Sequence, residues 1–285
     1  MTVGPPLPPG RKLKLGRRGT TFIREVEGPP GRPTLFLLHG WTATADLNWF
    51  RCYAPLARHY NVVAIDHRGH GRGIRTRRPF SLGDCADDVA AVCERLGIER
   101  IIPVGYSMGG PIAQLVWRRH HDLVEGLVLC ATSRNFGNGP RQRVMFSTLF
   151  GLSAAARVTP EALRRAVAER VVINRVEGYL GEWVAEELRQ NDPATVLGAG
   201  WSIGAFSSHR WVGDIDVPTS VVITQRDSVV PAHRQEKLAA AIPGAQAFRI
   251  KADHGACVER SDLFVPALLT ACDSVRRRIP APAPA

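Results

Sequence analysis

The sequence predicts an α/β fold: a doubly wound, mostly parallel sheet with one helical insertion. Three observations predict it. Short, continuous apolar runs alternate with helix-like segments, as strands buried on both faces require. Each distinctive polar motif stands directly after such a run, namely His39-Gly40-Trp41, Asp66 to Gly71, Ser107, Asp227 and His254. Ligands of open parallel sheets bind at the carboxyl ends of the strands, so five motifs at one edge mark a site. Residues 133–214 hold several helical stretches and no convincing buried strand. The expected organisation is a core in two parts, 11–132 and 215–278, a helical cap at 133–214, and disordered tails at 1–10 and 279–285.

In chain order, Lys12 to Leu15 and Thr21 to Val26 alternate enough to form a leading antiparallel pair. Thr34 to Leu38 and Val62 to Ile65 are buried strands, with a helix expected around Trp49 to His59 between them. Ser81 and Asp84 cap a helix running to Leu96. Ile101 to Val104 leads into Gly105-Tyr106-Ser107-Met108-Gly109, and a helix follows over Pro111 to His120. Gly126 to Cys130 is the next buried strand. After the cap, Ser220 to Ile223 is a strand, Pro231 to Ala241 a helix, Ala247 to Ile250 a strand, and Asp262 to Arg276 the closing helix.

The net charge of +11 is carried almost wholly by arginine, since only Lys12, Lys14, Lys237 and Lys251 are lysines. Arginine-rich composition follows from a GC-rich coding bias; the alternative is a surface that attracts acidic substrates or anionic lipid. Arg75, Arg77 and Arg78 cluster, as do Arg276 to Arg278, but no aromatic residues interleave, which argues against nucleic acid. The six cysteines form no C-x-x-C pair and sit among apolar residues, as free thiols of a reducing compartment do. Met1 to Gly19 carries no apolar stretch of the signal-peptide kind, and no run is long enough to span a bilayer. The expectation is a cytoplasmic protein with a small-molecule substrate and no stable membrane insertion. Oligomeric state is not legible.

The chemistry centres on Gly-x-Ser-x-Gly between a strand and a helix, a context that holds a serine on a sharp turn. A serine hydroxyl needs a base to take its proton. Of the five histidines after Ser107, His120 and His121 end the following helix, His209 lies in the cap and His233 in a helix. His254 sits in the loop after the last strand and is the best base. The imidazole needs a carboxylate partner, and Asp227 follows the preceding strand. Asp253 is a weaker rival, because adjacent loop side chains rarely meet. Oxyanion donors are expected from the backbone N–H of Met108 and Trp41, each worth about 3–4 kcal/mol. Asp66, Arg68 and the glycines through Gly73 read as braces. His67 and His70 have no third ligand at metal-binding spacing, so neither metal nor cofactor is expected.

The order Ser…Asp…His, the His-Gly-Trp turn, the Asp-His-Arg-Gly-His-Gly loop and the Gly-Tyr-Ser-Met-Gly-Gly elbow resemble the α/β-hydrolase superfamily over residues 13–278. The resemblance implies an eight-stranded sheet, a helical cap, and Ser107, Asp227 and His254 as the triad. Relatives with Asp at the elbow, such as haloalkane dehalogenases and epoxide hydrolases, do not match. Many relatives have Gly before the catalytic His, where this chain has Asp253; a second carboxylate there either raises the pKa of His254 or faces solvent. The favoured function is hydrolysis of a small to medium carboxylic ester, thioester or lactone through an acyl-enzyme on Ser107. Trp183, Trp201, Phe206 and Trp211 are candidates for an apolar pocket. The same triad also serves C–C bond hydrolysis, acyl transfer or cofactor-free perhydrolysis, and the fold also occurs in non-enzymatic ligand receptors.

Overall fold

Eight strands form one sheet in the order β1-β2-β4-β3-β5-β6-β7-β8. The computed structural model describes residues 4–137, 140–160 and 180–280. The strands are β1 (Gly10–Lys14), β2 (Thr20–Val26), β3 (Thr34–Leu38), β4 (Asn61–Ile65), β5 (Ile101–Tyr106), β6 (Leu127–Cys130), β7 (Thr219–Thr224) and β8 (Gln246–Ile250). β1 pairs antiparallel with β2 and β2 with β4; every later pairing is parallel. β3 to β7 are apolar on both faces, because helices cover both.

Strand alternation divides the core in two. Phe36, Leu38, Val63 and Ile65 face one layer, with Val89 and Val92 of α3 (Leu82–Leu96) and Ile112 and Val116 of α4 (Gly109–Arg119). Leu35, Leu37, Val62 and Ala64 face the other. There Trp49 of α1 (Ala45–Trp49) and Leu56 of α2 (Tyr53–Ala57) meet Phe264 and Leu268 of the closing helix α10 (Ser261–Arg278). Between β7 and β8 lies α8 (Ala232–Ala241), and the short α9 (Ala256–Glu259) precedes α10.

One expected helix divides. The stretch at Trp49 to His59 is two single-turn helices, the first starting earlier because Thr44 Oγ1 accepts from Leu47 N at 3.0 Å and caps it. At the amino terminus, β1 begins at Gly10, and the Pro8 carbonyl accepts from Arg24. Residues 1–3 and 281–285 of the expected tails, and residues 138–139 and 161–179 of the expected cap, lie outside the described residues.

Between β6 and β7 the structure places α5 (Pro140–Val158), α6 (Gly181–Arg189) and α7 (Pro193–Ala205). They are tied to the loops that follow β3 and β4. Thr44 Oγ1 donates to Glu187 Oε2 at 2.5 Å, Asn191 Nδ2 to the Thr42 carbonyl at 2.6 Å, and Asp192 N to the Gly69 carbonyl at 2.7 Å. Trp41 Nε1 donates to the Val196 carbonyl at 2.7 Å. Gly200 of α7 lets the Trp41 ring approach; a Cβ there would stand 2.7 Å from it.

Much of the arginine is committed internally. Arg75 donates to the Gly71 and Gln190 carbonyls, Arg278 to those of Thr219 and Gly244, while Arg276 and Arg277 share Asp273. All six cysteines are free and buried. Among the described residues no helix is long and apolar enough to cross a membrane.

Candidate active site

Ser107 stands between β5 and α4 with φ of 51°, in the left-handed region that a non-glycine residue rarely occupies. Its neighbours explain how the turn fits. A Cβ on Gly105 would run into the backbone of Gly109 and Gly110, and one on Gly109 into the carbonyl of Leu38. The turn is then fastened from β6: Ser107 N donates to the Cys130 carbonyl at 2.9 Å, and Thr132 Oγ1 to the Ser107 carbonyl at 2.7 Å. Four backbone and hydroxyl groups thus hold a conformation that costs about 1–3 kcal/mol.

His254 follows β8 and Asp227 follows β7, and the parallel pairing brings the two loops side by side. His254 Nδ1 lies 2.8 Å from Asp227 Oδ2, and Nε2 lies 3.0 Å from Ser107 Oγ. With Nδ1–H donating to the carboxylate, Nε2 is left to accept from the hydroxyl. Tyr106 OH donates to the His254 carbonyl at 2.5 Å and anchors the loop from beneath.

The Asp227 carboxylate is enclosed by donors. Oδ1 accepts from Val229 N at 2.9 Å and Val230 N at 2.7 Å. Oδ2 accepts from Thr224 Oγ1 at 2.6 Å and Gln235 Nε2 at 3.0 Å as well as from His254. Its side chain is fully buried, whereas that of His254 is 20% exposed, so the carboxylate is fixed while the imidazole borders solvent. Sequence reasoning missed Thr224 and Gln235. Thr224 lies one residue past the expected strand and Gln235 within an expected helix, and only the fold brings Gln235 of α8 back over the end of β7.

Met108 follows Ser107 in the chain, and Trp41 follows Gly40. The Gly40 backbone lies against Ser107, since a Cβ there would be 3.4 Å from Ser107 Cβ. Asn48 Oδ1 accepts from Gly40 N at 2.9 Å and sets this turn, another contact the sequence did not reveal. Among the described residues the backbone N–H of Trp41 and of Met108 has no hydrogen-bond partner. The Met108 side chain is buried in the core layer under α4.

The other motif residues take different places. Asp66 accepts from Ala45 N at 2.8 Å, Arg72 N at 2.9 Å and Arg72 Nε at 3.2 Å, and burial raises its pKa. Arg68 pairs with Asp88. His39, His67 and His70 gather behind this loop, with ring centroids 4.3 and 5.4 Å from His39. Burial lowers the pKa of His39 to about 4 and that of His70 to about 3, and pushes that of His67 well down. Both His39 nitrogens are occupied, by the Gly40 carbonyl and by His67 N, so this ring offers no metal ligand. His120 and His121 pair with Asp87 and Asp216.

The expected pocket aromatics pack among helices. Trp183 meets Phe50, Trp201 meets Phe150, and Trp211 stacks on Trp117 with Phe206 at its edge.

Comparison with known proteins places the fold. Residues 33–179 match the family model for the alpha/beta hydrolase fold. A non-heme haloperoxidase of Rhodococcus erythropolis is 26% identical over 272 residues, 86% of this chain and 93% of that protein. A bifunctional esterase/perhydrolase of Acinetobacter calcoaceticus is 39% identical over 113 residues, 39% of this chain and 41% of that one. The crystal structure of the esterase RhEst1 from Rhodococcus sp. ECU1013 superposes with a TM-score of 0.72 at 25% identity, over 93% of this chain and 99% of that one.

Proposed function

Since the chain belongs to the α/β-hydrolase fold family, we propose that it is a serine hydrolase cleaving small to medium carboxylic esters, thioesters or lactones. One observation carries this reading: the unbroken series Ser107 Oγ, His254, Asp227, at 3.0 and 2.8 Å, with the serine raised on a strained turn. Ser107 Oγ attacks the acyl carbon and its proton passes to His254 Nε2. The tetrahedral oxyanion is received by the unpartnered N–H groups of Trp41 and Met108, reinforced by the positive end of α4. Collapse breaks the bond to the leaving alcohol or thiol, which takes the proton from Nε2. Water then gives its proton to Nε2, attacks the acyl-enzyme, and releases the acid and Ser107. Asp227 holds the ring and stabilises its charged form. Every group required belongs to the chain itself.

The helices between β6 and β7 act as a cap over residues 133–214 in this reading. Their bonds to Trp41 and Thr42, beside the nucleophile, support it. The likeness to an esterase/perhydrolase favours hydrogen peroxide as a second acceptor for the same acyl-enzyme, giving a peracid in place of an acid.

The test is hydrolysis of a p-nitrophenyl ester series from acetate upward by the wild type and by Ser107→Ala. The substitution is expected to abolish turnover, and the series to fall beyond medium acyl lengths. Undiminished turnover by Ser107→Ala overturns the assignment.

A further inference from the structure

The two loops that carry Asp227 and His254 must keep their relative position to a fraction of an ångström, because the ring bridges them. Backbone bonds continue the β7–β8 ladder only as far as Gln225 N to the Ile250 carbonyl and Arg226 N to the Ala252 carbonyl. Beyond that point a second side chain spans the loops. Asp253 Oδ1 accepts from Ser228 N at 2.8 Å, from Ser228 Oγ at 3.0 Å and from His254 N at 2.6 Å, and Oδ2 lies 3.2 Å from Ser228 Oγ. One carboxylate oxygen therefore joins the residue that follows Asp227 to the backbone of His254 itself. Its ring-side alternative does not arise, since the imidazole is taken by Asp227.

We propose that Asp253 is a positioning residue for the triad: it ties the backbone of His254 to that of Ser228 and so fixes where the imidazole stands between Asp227 and Ser107. The proposal rests on the hydrolase reading above. The backbone N–H of Ser228, then that of His254, hold the Asp253 carboxyl below its usual range, so the charged acceptor is present throughout the working pH range of such a site. Hydrogen bonds to a charged acceptor are the stronger kind. Asp253 hydrogen-bonds the backbone of His254 and not its ring, which Asp227 holds. Its charge also acts on His254, and the Asn variant, which keeps the bonds without the charge, separates the two.

The expected effect is moderate. Removing the tie leaves the Tyr106 bond to the His254 carbonyl and the ring bond to Asp227 in place. Asp253→Ala is therefore expected to lower kcat about tenfold, below the roughly 100-fold that a 1 Å misplacement can cause. KM is expected to stay within about twofold, because no substrate contact is lost. Asp253→Asn keeps an oxygen for both N–H groups and is expected to restore most of the rate.

The experiment measures p-nitrophenyl acetate kinetics and the rate at which a fluorophosphonate probe labels Ser107, in the wild type and both variants, alongside thermal midpoints. Asp253→Gly replaces Ala if the latter does not fold. Slower labelling and lower kcat in Ala, rescued in Asn, with KM unmoved, support the proposal. Unchanged kcat in Ala, a change confined to KM, or an Asn variant as slow as Ala overturns it while leaving the hydrolase reading intact. A wild type that is not labelled at Ser107 overturns that reading, and this proposal with it.

Discussion

Two buried aspartates stand at the same edge of the sheet, and their surroundings differ in one respect that decides what each does. Asp66 follows β4 and Asp227 follows β7. Both accept two backbone N–H groups, from Ala45 and Arg72 in one case and from Val229 and Val230 in the other. The remaining capacity of Asp66 goes to the Arg72 guanidinium, a group whose charge never changes. That of Asp227 is shared by two neutral donors, Thr224 and Gln235, and an imidazole, the one partner of the three whose kind can change charge near neutrality. A carboxylate bound to a permanent cation braces a loop; the same carboxylate bound to a titratable ring can support proton transfer.

Asp227→Asn gives the largest separation between the two. It is expected to lower kcat about 10⁴-fold, by presenting the wrong tautomer to Ser107, with little change in thermal midpoint. A loss under tenfold would remove Asp227 from the proposed chemistry. Asp66→Ala should do the reverse. It leaves Ala45 N and Arg72 N without their acceptor, at about 1–3 kcal/mol each, to be read from urea unfolding, while Arg72 keeps Asp46 and the folded fraction keeps its kcat. A collapse of kcat with stability intact would erase the contrast.

The smallest effect concerns the histidines around each loop. His39, His67 and His70 are buried and held neutral, their pKa values lowered from the ordinary 6.5. Below pH 6.5 the unfolded chain binds protons that the native one refuses, so stability falls as pH drops from 6.5 toward 4. For His39 alone, a shift to about 4 corresponds to about 3 kcal/mol at the acid end of that window. The raised Asp66 carboxyl acts in the opposite sense, adding stability at low pH that is lost as pH rises through its folded pKa. Among the described residues both ring nitrogens of His67 lack partners, so His67→Leu should flatten the pH dependence of urea midpoints without loss at pH 7. A steeper dependence would contradict this.

The strands were legible because burial on both faces leaves few polar residues to interrupt a run, as in Thr34 to Leu38. Ser107, Asp227 and His254 were legible as the right residue types at successive strand ends, and the structure brings them into hydrogen-bonding series. Gln235 was not, because a glutamine on a helix carries no mark of the carboxylate it will face. Thr132 and Asn48 were missed for the same reason: each acts on the backbone of a distant turn, and such contacts leave no spacing in the chain. The helix expected around Trp49 to His59 instead begins at Ala45, where Thr44 caps it, and breaks before a second turn at Tyr53. For Trp183, Trp201, Phe206 and Trp211 the sequence leaves pocket lining and packing between helices both open, and their ring contacts with Phe50, Phe150, Trp117 and one another are of the packing kind.

Trp41 is shared between the turn after β3 and the inserted helices: it follows Gly40, which packs against Ser107, and its indole N–H is bonded to Val196 in α7. This sharing limits how the protein can be re-engineered. Libraries that diversify 193–205 to admit bulkier acyl chains will also disturb the residue proposed to receive the oxyanion. Breadth of substrate and speed should therefore trade against each other there.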